Sequence, residues 1–243
     1  NSSGFGICHA YTEDGRCVSL LKILLTNQCI FDCAYCVSRK SNDIKRAAFT
    51  VEEVVDITIS FYRRNYIEGL FLSSGIFSNP DYTLERLVRI AKKLRKEENF
   101  NGYIHLKAIP GASDELIREA GLYADRLSVN VEMPTEQSLK LLAPDKNHQD
   151  VIRPMTFLKE EIAGRKEEKK IIKKAPLFAP AGQSTQMVIG ATKETDLEIL
   201  AMTDYFYGKM NLRRVYYSGY VPISTDNRLP ALGTPVPIIR ENR

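Results

Sequence analysis

Three cysteines stand within eight residues in the stretch Cys29-Ile-Phe-Asp-Cys33-Ala-Tyr-Cys36, a C-x3-C-x2-C run with Tyr35 just before the last thiol. Three clustered thiols can hold a metal, form one disulfide with a spare, or share a segment by coincidence. The chain has five cysteines, at positions 8, 17, 29, 33 and 36. Disulfide frameworks spread their bridges through small chains, whereas 243 residues with 44% hydrophobic content can bury a core without them. Reduced thiols in a cytoplasmic setting, clustered on a metal, are the expectation. A structural zinc ion takes four ligands, and Cys8, Cys17 or His9 could complete that set. The tight C-x3-C-x2-C loop differs from the paired C-x2-C hooks that zinc favours. A [4Fe–4S] cluster is normally held by four thiolates; three would leave one iron open to a chelating amine and carboxylate.

Other reactive residues fall where apolar runs end. Buried parallel strands read as continuous hydrophobic runs, and here each run breaks near its C-terminal end. Ser73-Ser74-Gly75 closes one run; His105 and Lys107, two apart and so on one face, interrupt another. Asn130 and Glu132 repeat that spacing, a further run ends at Ile189 and Gly190, and the last carries Ser218 and Tyr220. A neutral polar group buried without a partner costs roughly 2–7 kcal/mol. These residues therefore line a wet cavity, hold a ligand, or pair with one another, as Lys107 could with Glu132. Singly, each has a plainer structural reading: His105 a satisfied core histidine, Ser73 to Gly75 a turn.

Cys8 and Cys17 precede the first predicted strand, with His9 and Arg16 beside them. They read as a hydrogen-atom donor, a second metal site, a regulatory thiol pair, or reduced cysteines packing an edge. Tyr216, Tyr217 and Tyr220 with Arg213 and Arg214 could stack on and clamp a nucleotide, or simply rim a core strand. Gln183 and Gln186 lead into the fifth predicted strand, and either could face inward.

The elements that must position these groups alternate along the chain. Strands are predicted at 18–26, 69–74, 102–109, 126–133, 184–190 and 213–223. Helices are predicted at 50–65, 83–99, 113–124, 135–143 and 194–210, the first with Thr50 and Glu53 as a capping box. Parallel strands need crossovers of this length, and sites in such folds form at the C-terminal ends of strands. Six strand–helix steps of an α/β chain suit either an open doubly wound sheet or a partial barrel over 18–223, with residues 1–17 an N-terminal segment, a charged helical insert at about 150–175, and 224–243 a proline-rich strap.

Net charge is only +4, and Arg153–Lys174 alone holds eight Lys/Arg against four Asp/Glu, so the remainder is neutral. Any electrostatic footprint for nucleic acid is local; otherwise this insert is a solvated helix laced with Glu–Lys pairs. No apolar run approaches the ~20 residues of a membrane span, so no membrane is expected as partner.

The cysteine run with its aromatic residue resembles the radical S-adenosylmethionine (radical SAM) superfamily, which implies a partial (β/α)6 barrel of parallel strands, in keeping with the six steps. The resemblance implies that Cys29, Cys33 and Cys36 hold a [4Fe–4S] cluster whose open iron binds S-adenosylmethionine (SAM), fed by a flavodoxin- or ferredoxin-like electron donor. It implies further SAM contacts at Tyr35, at the turn Ser73-Ser74-Gly75, at Asn130 and Glu132 for the ribose, and at the backbone of Ile189 and Gly190 for adenine. The turn departs from the usual Gly-Gly-Glu. His105, Lys107, Gln186, Tyr217, Cys8 and Cys17 are the candidates to meet substrate. Over nearly the whole chain, segments such as "LLKILLTNQC", "HLKAIPGAS" and "RRVYYSGYVP" are similar to radical SAM proteins described as DNA modification or repair proteins. Those are associated with a uracil-DNA-glycosylase-like partner and continue into a helical DNA-binding tail, which implies DNA as a partner. Two alternatives stand beside DNA chemistry: the same radical chemistry on a small molecule, peptide or RNA, and a non-enzymatic metal-binding interaction module.

Overall fold

The computed structural model describes residues 6–11 and 17–241. Seven strands form one sheet: β1 (Ile7–Tyr11), β2 (Cys17–Leu24), β3 (Gly69–Ser73), β4 (Tyr103–Lys107), β5 (Arg126–Ser128), β6 (Gln183–Ile189) and β7 (Arg214–Gly219). Their spatial order is their chain order. From β2 to β7 every neighbouring pair is parallel. Crossovers of one hand without a reversal of strand order stack all the helices on one side, so the sheet curls into a partial barrel. Of the open α/β sheet and the partial barrel that six strand–helix steps allow, the half-barrel is the fold observed, as the family resemblance implies. The edge strand β1 was not foreseen: it lies in the 1–17 segment and pairs antiparallel with β2.

The helices are α1 (Val51–Arg63), α2 (Pro80–Lys96), α3 (Asp114–Tyr123), α4 (Glu136–Leu142), α5 (Gln149–Ile171), α6 (Asp196–Gly208) and the short α7 (Ile238–Glu241). Thr50 and Glu53 make the predicted capping box of α1, and Thr195 with Glu198 makes a second one on α6. Helix α2 begins earlier than the apolar period suggests. Pro80 supplies its first turn and the Asn79 side chain accepts from the Tyr82 N–H at 2.8 Å. Ser113 stands at the N-cap of α3 but makes no side-chain capping bond.

Alternation assigns each strand two faces. Leu21 and Ile23, Leu70 and Leu72, Ile104 and Leu106, Leu127 and Val129, Met187 and Ile189 all belong to one core cluster with helical residues such as Val54, Leu84, Leu87 and Ile117. That is the outer face, under the helices. Residues paired across a ladder share a face, so Lys22, Phe71, His105 and Arg126 form one row across the inner face. Lys107, Ser128, Ser184 and Arg214 form the next row. The hydrophobic effect thus fixes the outer face, and the polar residues are left to the barrel's interior.

Strand β5 is shorter than the run 126–133 suggests. Glu132 adopts φ 66°, a left-handed conformation that ends regular strand geometry, and rejoins β6 through a single bridge to Met187. The segment after β7 folds back: Pro237 lies against Gly190, and Arg240 Nε binds Asp196 Oδ1 at 2.7 Å. Among the described residues, no helix is long and apolar enough to cross a membrane.

Candidate active site

The three cysteines sit on the long connection from β2 to α1, at the C-terminal mouth of the sheet. One guanidinium fixes this loop. Arg46 donates from Nη1 to the carbonyls of Asn27 (2.6 Å) and Ser38 (3.0 Å), and from Nη2 to those of Arg39 (2.7 Å) and Asn42 (2.8 Å). Four carbonyls turned toward one cation define a loop conformation that few alternatives could satisfy. Other ties reach out from it: the Ala34 N–H donates to Leu142 O at 2.7 Å, and Asp32 N–H to Asp145 Oδ2 at 3.0 Å. Arg39 Nη1 meets Asp226 Oδ2 at 3.0 Å, which joins the loop to the chain after β7.

The turn Ser73-Ser74-Gly75 is stitched to the start of the same loop. Gly75 N–H donates to Thr26 O at 2.8 Å, and Ile30 N–H to Ile76 O at 2.9 Å. A Cβ on Gly75 would lie 2.3 Å from the Gln28 carbonyl oxygen, so glycine is required by close approach rather than by torsion.

Cys33 is buried (6% exposed), while Cys29 and Cys36 are partly exposed; all three are free thiols. Burial pushes the Cys33 thiol up to about 11, against the pull of the nearby Lys146 ammonium. Burial also raises Cys36, with the charges of Cys29 and Glu132 adding to the effect. Tyr35 is raised well above the ordinary phenol range, first by burial and then by Glu132 and Cys33. Its hydroxyl lies close enough to Cys33 for the two to interact electrically, yet it has no hydrogen-bond partner by geometry. Among the described residues, no group of three or more His, Cys, Asp or Glu side chains is arranged to hold a metal ion. The donor chemistry of the three thiols suits an iron–sulfur cluster: soft sulfur ligands on one loop, each within the electrical reach of another.

Facing them across the mouth is Glu132, whose Oε1 lies 3.4 Å from Lys146 Nζ. Burial pulls the Lys146 ammonium down, but Glu132, Cys33 and Cys29 outweigh it and hold the group above the usual lysine range. Glu132 therefore pairs with Lys146 and not with Lys107, the partner the two-residue spacing suggests. Lys107 lies deeper on the inner face; burial lowers its ammonium, Glu132 opposes the fall, and Lys146 and Lys22 reinforce it. Asn130 is buried on the same face, and its side chain makes no hydrogen bond with another described residue.

The remaining candidates divide. Gln186 pairs with Tyr216 across the β6–β7 ladder and shares the inner face with His105 and Lys107. Tyr217 points the other way: its hydroxyl lies 2.7 Å from Thr203 Oγ1 on α6 and its ring packs on the helical core. Gln183 also faces outward and donates to the carbonyls of Met155 (3.1 Å) and Met210 (3.0 Å). Cys8 pairs with Leu20 and shares the inner face with Lys22, whereas Cys17 faces outward with its sulfur 3.4 Å from His9 Nδ1. The structure thus separates these two thiols; Arg16 lies outside the described residues. Ile189 is buried, its carbonyl accepts from the Tyr220 N–H at 2.8 Å, and Gly190 has Pro237 against it. Tyr220 is buried among Cys33, Met133 and Ala191 with an unpartnered hydroxyl, while Arg213 lies at the far end of the sheet beside α5. The tyrosines and arginines of β7 do not form one clamp.

Lys146 and Arg46 were not foreseen. Lys146 sits in the polar connection after α4, where a lysine carries no signal in sequence; its role comes from the fold bringing that connection over the mouth.

Comparison with known proteins follows this geometry. The Radical SAM superfamily model matches residues 23–204, which include all three loop cysteines and most of the barrel. No curated protein is similar enough in sequence to count as a match. Among solved structures, HydG, a maturase of the [FeFe]-hydrogenase, superposes with a TM-score of 0.64 at 15% identity over 87% of this chain and 45% of its own. Methylornithine synthase (PylB) gives 0.62 at 16% identity, covering 83% of this chain and 53% of its own. Coproporphyrinogen III oxidase (HemN) from Escherichia coli, a radical SAM enzyme, gives 0.51 at 15% identity, covering 86% and 47%. The chain spans about half the length of these solved structures. Enzymes of the matched superfamily use a [4Fe–4S] cluster and SAM. With the family model covering most of the chain and the half-barrel matching in fold, this chain belongs to the radical SAM superfamily.

Proposed function

We propose that Cys29, Cys33 and Cys36 hold the [4Fe–4S] cluster and that the inner face of the barrel binds SAM and a substrate beneath it. When bound, the cluster supplies the electron that breaks the S–C5′ bond of SAM, and the resulting radical takes a hydrogen atom from the substrate. The observation that carries this reading is the convergence at one mouth of three thiols on one loop, an unbonded Asn130 amide and a Glu132 carboxylate.

The chain's own residues have distinct tasks. Arg46 and the Gly75 turn set the loop that presents the thiols. Asn130 offers an amide to a ribose, and Glu132, positioned beside Lys146, offers a carboxylate oxygen to a ribose hydroxyl. Tyr35, Met133 and Tyr220 exclude water around Cys33, which strengthens electrostatic interactions there. Lys22, His105, Lys107 and Gln186 line the space for substrate. A flavodoxin- or ferredoxin-like protein in a cytoplasmic setting is the electron source proposed.

DNA modification or repair is a second reading, supported by the resemblance of long segments to proteins so described, including their glycosylase-like partner. The basic insert gives it little help. Helix α5 starts near the mouth and its lysine-rich end borders Gly182 and Arg213, at the N-terminal ends of β6 and β7. A test is 5′-deoxyadenosine formation by the anaerobically reconstituted chain given SAM and a strong reductant, beside Cys33→Ala. Product from the wild type and none from the variant is expected; equal product from both would overturn the assignment. Stimulation by single-stranded DNA, and not by nucleotides or small acids, would favour the second reading.

A further inference from the structure

The lower interior of the barrel carries polar atoms that the protein leaves without partners. His105 Nε2, Arg126 Nη1, Ser128 Oγ and Ser184 Oγ are all buried and make no hydrogen bond among the described residues. Ladder register places all four on the inner face: His105 is paired with Arg126, and Ser128 with Ser184. Arg126 and Ser128 are two residues apart on one strand, so the four form two adjacent rows. A buried polar atom left unpaired costs about 1–3 kcal/mol, and more for a charged group. Four such atoms on three neighbouring strands are a standing cost concentrated in one place, the pattern of a binding surface rather than of a packing error.

The chemistry of the four is one-sided. A guanidinium only donates, each serine hydroxyl can donate, and an imidazole N–H donates from one nitrogen. Lys22 and Lys107 stand in the same two rows, and among the described residues no Asp or Glu occupies this face below Glu132. Glu132 itself is engaged by Lys146 nearer the mouth. Arg126 is oriented by its Nε–H, which donates to Tyr103 Oη at 2.8 Å, leaving Nη1 to point elsewhere. Buried donors with surplus positive charge and no carboxylate beside them call for an oxyanion.

We propose that Arg126, His105, Ser128 and Ser184 form a seat for a terminal oxyanion, a phosphate or carboxylate group, of a small substrate. The seat deepens the reading of the barrel interior as the reaction chamber and rests on it. Arg126 precedes Asn130 by four residues, so at ~3.3 Å per residue it lies roughly 13 Å deeper than the mouth. A phosphodiester within a DNA strand cannot reach that depth without its flanking nucleotides, whereas the end of a small molecule can.

The test is calorimetric titration of the cluster-loaded chain with inorganic phosphate and, separately, with acetate, at constant ionic strength. Saturable binding of one or both is expected, and which one binds identifies the source of the oxyanion. Arg126→Gln should weaken that binding about tenfold or more and Ser184→Ala about fivefold, as loss of a charged and a neutral donor implies. Ser184→Ala should melt no lower than wild type in anion-free buffer, because it removes an unpaired buried hydroxyl; if Arg126→Gln fails to fold, this variant decides. No saturable heat with either anion, or binding untouched by the substitutions, overturns the seat. Loss of 5′-deoxyadenosine formation with anion binding intact would instead sink the radical reading and leave the seat standing.

Discussion

Glu132 concentrates the residue-scale chemistry. It holds a left-handed φ of 66°, costly for a glutamate, and its carboxylate is mostly buried against Lys146. Removing one partner of a buried ion pair leaves the other uncompensated. Lys146→Met is therefore expected to lower stability by roughly 3 kcal/mol, read from the urea unfolding midpoint; an unchanged midpoint would show that the pair is not coupled to the fold. His105 gives a pH signature. Burial, then Arg126, then Lys107 push its imidazole down to about 3. Unfolded, it titrates near 6.5, so the unfolded chain binds the extra proton between those values and stability falls as pH drops from about 6.5 toward 3. His105→Gln should remove that component, on the order of 5 kcal/mol across the full window, from a series of urea midpoints against pH. Cys29, Cys33, Cys36, Asn130 and Glu132 stand out as candidates in the sequence because short fixed spacings mark them. Lys146 does not, because its partner is 14 residues away in a connection without periodicity.

At the scale of elements, the loop from β2 to α1 and the turn after β3 behave as one unit. Arg46 gathers four loop carbonyls, and Gly75 lets the turn press against Gln28. Gly75→Ala is expected to cost about 2 kcal/mol through overpacking and to reduce iron bound per chain, as measured by thermal unfolding and metal analysis. Arg46→Lys should reduce iron content similarly, because an ammonium lacks the planar fork that reaches four acceptors. Normal iron loading in both would show that the loop is ordered by other contacts. The turn's position was legible from Ser73-Ser74-Gly75 at a strand end, but its reason for needing glycine was not, since close approach is a property of the folded chain. Strand β5 makes the same point. Its apolar run reads through to Met133, yet the ladder stops at Ser128: beyond it the Thr185 hydroxyl accepts from the Val131 N–H (3.1 Å) and donates to the Val129 carbonyl (2.7 Å) in place of backbone partners.

For the whole molecule, alternation of six apolar runs with helical periods limits the fold to an open α/β sheet or a partial barrel, and the unreversed strand order with its outer-face core makes it the half-barrel. The edge strand β1 was missed because the run that forms it is short and mixes polar with apolar residues. Helix α5 runs 23 residues, about 34 Å, and carries its lysines to the end of the barrel opposite the cysteines. Replacing Lys169, Lys170, Lys173 and Lys174 by Gln should leave 5′-deoxyadenosine formation within about twofold, since charges that far beyond a Debye length are screened. A large loss would place that face in the reaction. The central claim, that three thiols at the mouth hold a cluster with one iron open to SAM, is tested most directly by electron paramagnetic resonance of the reduced, reconstituted chain with and without SAM. The account predicts a cluster signal that SAM alters, absent in Cys33→Ala. A fully loaded cluster whose signal ignores SAM, or one that survives Cys33→Ala unchanged, would contradict it.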